Sequence, residues 1–153
     1  MLSRLVLAAV FVSTLAFGFE GDGFAGKFES LPKAVKETAK AQMNDAFGVS
    51  ITSAKTDQGW DYQINTRLNG KAHNIVIDEK GKLVALKDEA DLATIPPAAK
   101  ATLEKQTDLT QILLLEKVTE GDQVSYGATV RDTTQGLLIQ LRVAPDGTLK
   151  SRK

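Results

Sequence analysis

With a single histidine, His73, and no cysteine, this 153-residue chain has little with which to do covalent chemistry. Thiolate nucleophiles, thiolate metal ligands and disulfides are ruled out. A hydroxyl–imidazole–carboxylate relay needs its histidine open and oriented by an acid, and nothing at fixed spacing from His73 supplies one. His73 therefore reads as a structural residue at a sheet end. Zinc sites usually draw on several His or Cys ligands, and one histidine is too few. Carboxylates gather at Asp78-Glu79 and in the run Asp88-Glu89-Ala90-Asp91, but the glycine-bearing calcium loop pattern is absent. Gly21, Gly23 and Gly26 have no strand before them and no GK[ST] ending, so they do not form a phosphate cradle. Paired carboxylates for sugar or ester hydrolysis leave no mark in spacing, because their geometry is spatial. The expectation is a non-enzyme with no catalytic residue, no metal and no cofactor.

What remains is recognition, and the residues for it must be held by strands. In 59–68, Trp60, Tyr62, Ile64, Thr66 and Leu68 alternate with Asp61, Gln63, Asn65 and Arg67, the period of a half-buried strand. Asn69-Gly70 then favours a two-residue hairpin, which pairs Leu68 with Lys71, Thr66 with His73, Ile64 with Ile75 and Tyr62 with Ile77. Further along, a four-residue connection, 133–136, pairs Val130 with Ile139, Ala128 with Leu141 and Tyr126 with Val143. Both registers close an apolar face, against which Trp60, Tyr62 and Tyr126 are expected to pack. The opposite face is polar and rich in donors. Asn65, Arg67, Asn74, Thr129, Arg131, Gln140 and Arg142 are the candidate partner-binding residues, with arginine the type most useful at interfaces.

The elements around these strands occur twice. Laying 31–68 over 95–132, and 70–83 over 136–149, gives ten identities in 52 pairs, where chance gives roughly three. Pro32, Ala34, Tyr62, Gly70, Gly81 and Leu83 match Pro96, Ala98, Tyr126, Gly136, Gly147 and Leu149. Each copy starts with a helix: Val35, Ala39, Met43 and Phe47 stand one turn apart, with Ser30 able to cap, Pro32 in the first turn and Gly48 able to close. Segments 49–54 and 112–118 read as first strands. The expected fold is α+β: two tandem repeats, each one helix packed on an antiparallel three- to four-stranded meander. The boundaries are 31–87 for the first, 88–94 for a linker and 95–153 for the second.

Arg4, an apolar run from Leu5 to Leu15, and the small residues Ala16 and Gly18 read as a signal peptide, 1–18, too short for the ~20 apolar residues of a bilayer span. No stable span is expected after its cleavage. Residues 19–30 form a flexible leader, in which Phe24 or Phe28 could instead dock on the core. Nineteen basic and nineteen acidic side chains balance to zero, which argues against a phosphate-driven nucleic-acid binder.

The leading Leu31-Pro32 and Ile95-Pro96, the helix after each, Tyr62 and Tyr126, and the turns at Gly81 and Gly147 resemble the PepSY-like superfamily of exported bacterial domains, including its tandem beta-lactamase-inhibitor-like members. The resemblance covers 31–153. It implies a helix on an antiparallel sheet in each repeat, a periplasmic or secreted address, and a non-catalytic role in peptidase inhibition or protein binding. Val124 in place of Trp60, and the Pro145 turn, depart from equivalence between the copies. The reading is an exported protein-binding module, a peptidase inhibitor or regulator acting on another envelope or secreted protein through the polar sheet face or a strand edge. The alternative is a small-ligand or metal-ion carrier with a pocket between helix and sheet. The oligomeric state stays open.

Overall fold

In the computed structural model, the described residues are 28–44, 46–133 and 136–153. The expected signal peptide, 1–18, and residues 19–27 of the expected leader lie outside them.

Helix α1 (Lys33–Met43) buries Val35 and Ala39 at helical spacing and leaves Lys33 and Glu37 outside, 3.9 Å apart one turn on. Pro32 occupies the N-cap, the position expected for Ser30, and makes no side-chain bond there. Asn44, at φ 46°, ends the helix before Gly48, because asparagine tolerates the left-handed region. Phe28, 9% exposed, joins Leu31, Val35, Ala39, Ile64, Ile75 and Ile77 in one core cluster, so the end of the expected leader is part of the core.

Strands β1 (Phe47–Thr56), β2 (Gly59–Leu68), β3 (Lys71–Asp78) and β4 (Leu83–Glu89) follow, then helix α2 (Pro97–Gln106), a 3-10 turn (Leu109–Gln111), and strands β5 (Ile112–Glu120), β6 (Gln123–Arg131), β7 (Leu138–Val143) and β8 (Leu149–Arg152). The hairpin registers are the ones the turns require: Thr66 with His73 and Ile64 with Ile75, Val130 with Ile139 and Ala128 with Leu141.

The expected division into two helix-on-meander repeats is overturned. Among the described residues, eight strands form one antiparallel sheet in the order β1 to β8, a β-rich fold with helices α1 and α2 beside it. The physical reason is the join. β4 runs on through Lys87, Asp88 and Glu89, and these pair with Val118, Lys117 and Glu116 of β5. A meander ending at β4 would leave a row of unpaired backbone groups at its edge, as would one beginning at β5, and pairing them removes both edges.

Both helices lie on one face of this sheet. A second cluster, Ile95, Ala99, Leu103, Leu115, Tyr126, Ala128, Val130, Leu141 and Val143, forms beneath α2. Each helix is clipped to a glycine turn: Thr38 Oγ1 donates to the Gly81 carbonyl at 2.5 Å, and Thr102 Oγ1 to the Gly147 carbonyl at 2.6 Å. These glycines have φ of 85° and 89°, and a Cβ on either would come within 2.8 Å of helix backbone, at Ala34 or Ala98. Trp60 departs from expectation. It is 44% exposed rather than core, because it stands at the start of β2, where its backbone N–H donates to Glu79 at 3.0 Å.

Candidate functional site: the sheet face opposite the helices

Side chains alternate across each strand, so the residues between the core positions point away from both helices. Two neighbouring rows cross the centre of that face. One runs Ser50, Asn65, Asn74, Lys87, Val118, Ser125, and the other Glu89, Glu116, Gly127, Arg142, Ser151. Among the described residues no helix covers this face, yet Val76 is only 1% exposed, and Ala85, Val118 and Ser125 are also buried. Val76 lies opposite Gln63 and Ala85, with Asn74 and Asp78 next along its strand. Polar side chains therefore enclose a narrow apolar strip.

Charges of opposite sign are held over that strip. Arg142 donates from Nε to Ser125 Oγ at 2.8 Å and meets Glu120 at 2.9 Å. Asn74 Nδ2 donates to Glu116 Oε1 at 3.4 Å. Burial holds the Lys87 ammonium below its ordinary value; Glu116 pulls it back up, and Arg142 pushes it further down. Burial raises the Glu116 carboxyl above its ordinary value, with Lys87 and the Asn74 bond opposing the rise and Glu89 adding to it. Both groups are thus partly stripped of water while still bordering an open surface. At Gly127, between Glu116 and Arg142, a Cβ would touch only Val118 Cγ2, at 3.8 Å, so the backbone there is approachable from outside.

Of the residues singled out from the sequence, Asn74 and Arg142 belong to this band. Asn65 lies in the same row but turns to its neighbours, accepting from Gln63 at 2.6 Å and donating to Ser50 at 3.3 Å. Thr129 and Gln140 face each other across β6 and β7, one step from the band. Arg131 is exposed opposite Leu138. Arg67 is exposed at the far side and donates to its own turn at the Gly70 carbonyl, 2.9 Å away. Five strand spacings separate Arg67 on β2 from Arg142 on β7, about 24 Å in a flat sheet. The three arginines do not converge.

Lys87, Glu116 and Glu120 were missed. The expected boundary ends the first unit at Lys87 with a linker from 88, and only the continuation of β4 puts Lys87 on a strand. The signal was present as alternation: Ala85, Lys87 and Glu89 share one face while Leu86 and Asp88 share the other.

A corner of exposed apolar surface borders the band. Leu137 is 58% and Leu138 55% exposed at the start of β7, and Leu113 is exposed at a bulge in β5 two strands away.

On the helix side, His73 is buried, with Nδ1 2.6 Å from Asp88 Oδ1 and Nε2 3.3 Å from the Gln42 carbonyl. A carboxylate does orient the ring. Each ring nitrogen has an oxygen of a neighbouring element within reach, so the residue ties the end of α1 to β3 and β4. Among the described residues, no group of three or more His, Asp or Glu side chains is placed to hold a metal ion. A cavity of about 190 Å³ opens at the end of α2, lined by Gln106, Asp108, Arg131, Ile139, Leu141 and Arg152 among others.

No family model matches this chain, and no curated protein does. Solved structures with the same fold are found. A candidate periplasmic protein from Bacteroides eggerthii superposes with a TM-score of 0.67 at 15% identity, covering 80% of this chain and 88% of that one. A DUF2874 family protein from Bacteroides ovatus gives 0.63 at 20% identity, over 81% and 87%. A BLIP-like protein from Bacteroides fragilis gives 0.59 at 14% identity, over 80% and 85%. At these identities the likeness is one of fold. It agrees with the beta-lactamase-inhibitor-like side of the resemblance read from the sequence, and lends none to the PepSY-like tandem arrangement.

Proposed function

We propose that the chain is an exported, non-enzymatic binding module that docks another envelope or secreted protein on the sheet face opposite its helices, centred on β4 to β7. The observation that carries this is the band of half-buried charges Lys87, Glu116 and Arg142, with exposed Glu120 beside them, on a face that no helix covers among the described residues. Burying the charges of a lysine and a glutamate costs stability. A partner whose groups complete the network, with the leucine corner as an apolar anchor, gives that arrangement a use. The periplasmic or secreted address is supported by the export-type start of the sequence and by the description of the Bacteroides eggerthii protein as periplasmic. The finer reading, an inhibitor or regulator of a peptidase, is supported by the fold shared with a BLIP-like protein.

The test is capture. Purified protein, Arg142→Glu and Arg67→Glu variants are each used as bait against the envelope and secreted proteins of the host, with mass spectrometric readout. A partner retained by the wild type and Arg67→Glu, and lost by a folded Arg142→Glu, is the expected result. Equal capture by all three removes the band from consideration. If the captured protein is a peptidase, its turnover falls on adding the wild type and not Arg142→Glu.

The alternative, a small-ligand carrier, is favoured by the cavity at the end of α2, which lies between helix and sheet. Its volume of about 190 Å³ is below the ~300 Å³ at which ligand pockets usually begin. A saturable thermal shift with one small molecule, lost in Arg152→Ala, would promote this reading over the first.

A further inference from the structure

The two edges of the sheet are built differently. At one, β8 is four residues long, carries Lys150 and Arg152, and closes with paired backbone bonds between Gln140 and Lys153 at 2.8 and 3.0 Å. Short length and basic side chains are how natural sheets protect an edge. At the other, β1 (FGVSITSAKT) is ten residues long with no proline and one charge, Lys55. Its inner side pairs with β2 without interruption from Ser50 to Thr56, so its backbone is held extended. Among the described residues no strand pairs with its outer side. An extended strand presents alternate N–H and C=O groups outward, a template for another strand.

We propose that the free edge of β1 pairs antiparallel with β1 of a second copy, joining two eight-stranded sheets across a two-fold axis. Self-complementarity selects the occupant. With the axis at Thr52, Thr52 meets itself, Ser50 meets Ala54 and Ile51 meets Ser53, and β1 carries no second charge to oppose Lys55, so no like charges face each other. The whole chain has a formal net charge of zero, so two copies approach without net repulsion. A charged foreign strand would find only Lys55 to recognise it. The pairing involves only the edge, three strands away from β4, and leaves the Lys87 to Arg142 band of each copy uncovered.

Sedimentation equilibrium over a wide concentration range, with amide hydrogen exchange at both extremes, tests the proposal. The variant is Thr52→Lys with Ser53→Lys, two exposed positions whose replacement puts like charges across the axis and leaves the core intact. The expected result is a reversible dimer in which β1 amides exchange more slowly as concentration rises, and about tenfold weaker association in the variant. A monomer at every concentration overturns the proposal, including one whose β1 edge is already protected by residues 19–27 or by a co-purified extended segment. A dimer whose β1 amides gain no protection overturns it too. The wild-type exchange pattern decides the matter even if the double variant fails to fold.

Discussion

The β2–β3 and β6–β7 hairpins share a registered apolar face and differ in almost everything on the other side. Ile64 with Ile75 and Ala128 with Leu141 fill their cores beneath α1 and α2. On the open face, the first hairpin has its polar groups taken up nearby. Its two-residue turn at Asn69-Gly70 takes the Arg67 side chain, and Ala72 N–H donates to Glu89 of β4. The second is open. A longer connection leaves Leu137 and Leu138 exposed, Arg131 has a leucine opposite it, and Arg142 is drawn into the charge band. The positions that set the fold are alike in the two halves, while the surface chemistry is concentrated in one. That contrast is the ground on which we propose docking over β4 to β7.

The contrast breaks first at the core, where the halves should behave alike. Ile75→Ala and Leu141→Ala each remove a buried side chain and should cost about 2–5 kcal/mol in urea unfolding. Because one sheet holds both, each should lower a single cooperative transition. Two separable transitions would show that the halves unfold independently.

Next come the helix clips. Gly81→Ala and Gly147→Ala force a Cβ into the left-handed region and against helix backbone, so each should lose roughly 1–3 kcal/mol. A loss at only one of them would show that the two clips are not equivalent.

On the open face the halves should part. Arg142→Ala should weaken partner binding by about tenfold or more, since it removes an arginine held by Ser125 and Glu120, while Arg67→Ala should change it less than about twofold. Equal losses measured by calorimetry would erase the distinction.

The smallest effect concerns pH. The Glu116 carboxyl titrates above its ordinary value of 4.5 in the folded state. Folded protein then binds a proton ahead of the unfolded chain, so this group adds stability below the unfolded value and loses it as pH rises through the folded one. Urea midpoints of the wild type should therefore gain on those of Glu116→Gln as pH falls from 7 to below the ordinary value of 4.5. A constant difference across that range would mean that Glu116 is not perturbed by burial.

Much of the sheet was legible because alternation and turn chemistry are local. Asn69-Gly70 fixes a register by its φ preferences, and Ile64, Ile75 and Ile77 then have one face to share. The join of β4 to β5 was not legible, since strand pairing across a helix and a loop leaves no local pattern, and Asp88-Glu89-Ala90 has the composition of a linker. Reading the chain as two units followed from that gap. His73 shows the same limit from the other side: its carboxylate, Asp88, stands fifteen residues away and reaches it only through the β3–β4 register. At the site, the arginines were visible by type, but which of them meets Glu120 depended on the placing of β7 two strands from β5.

The most direct test of the docking face is a photo-crosslinking residue placed in turn at Thr129 on the open face of β6, at Asn65 on the open face of β2, and at Glu104 on the outer side of α2. The account predicts adducts with the captured partner from position 129, few from 65 and none from 104. Adducts from 104 with none from 129 would contradict it and move the docking surface to the helices.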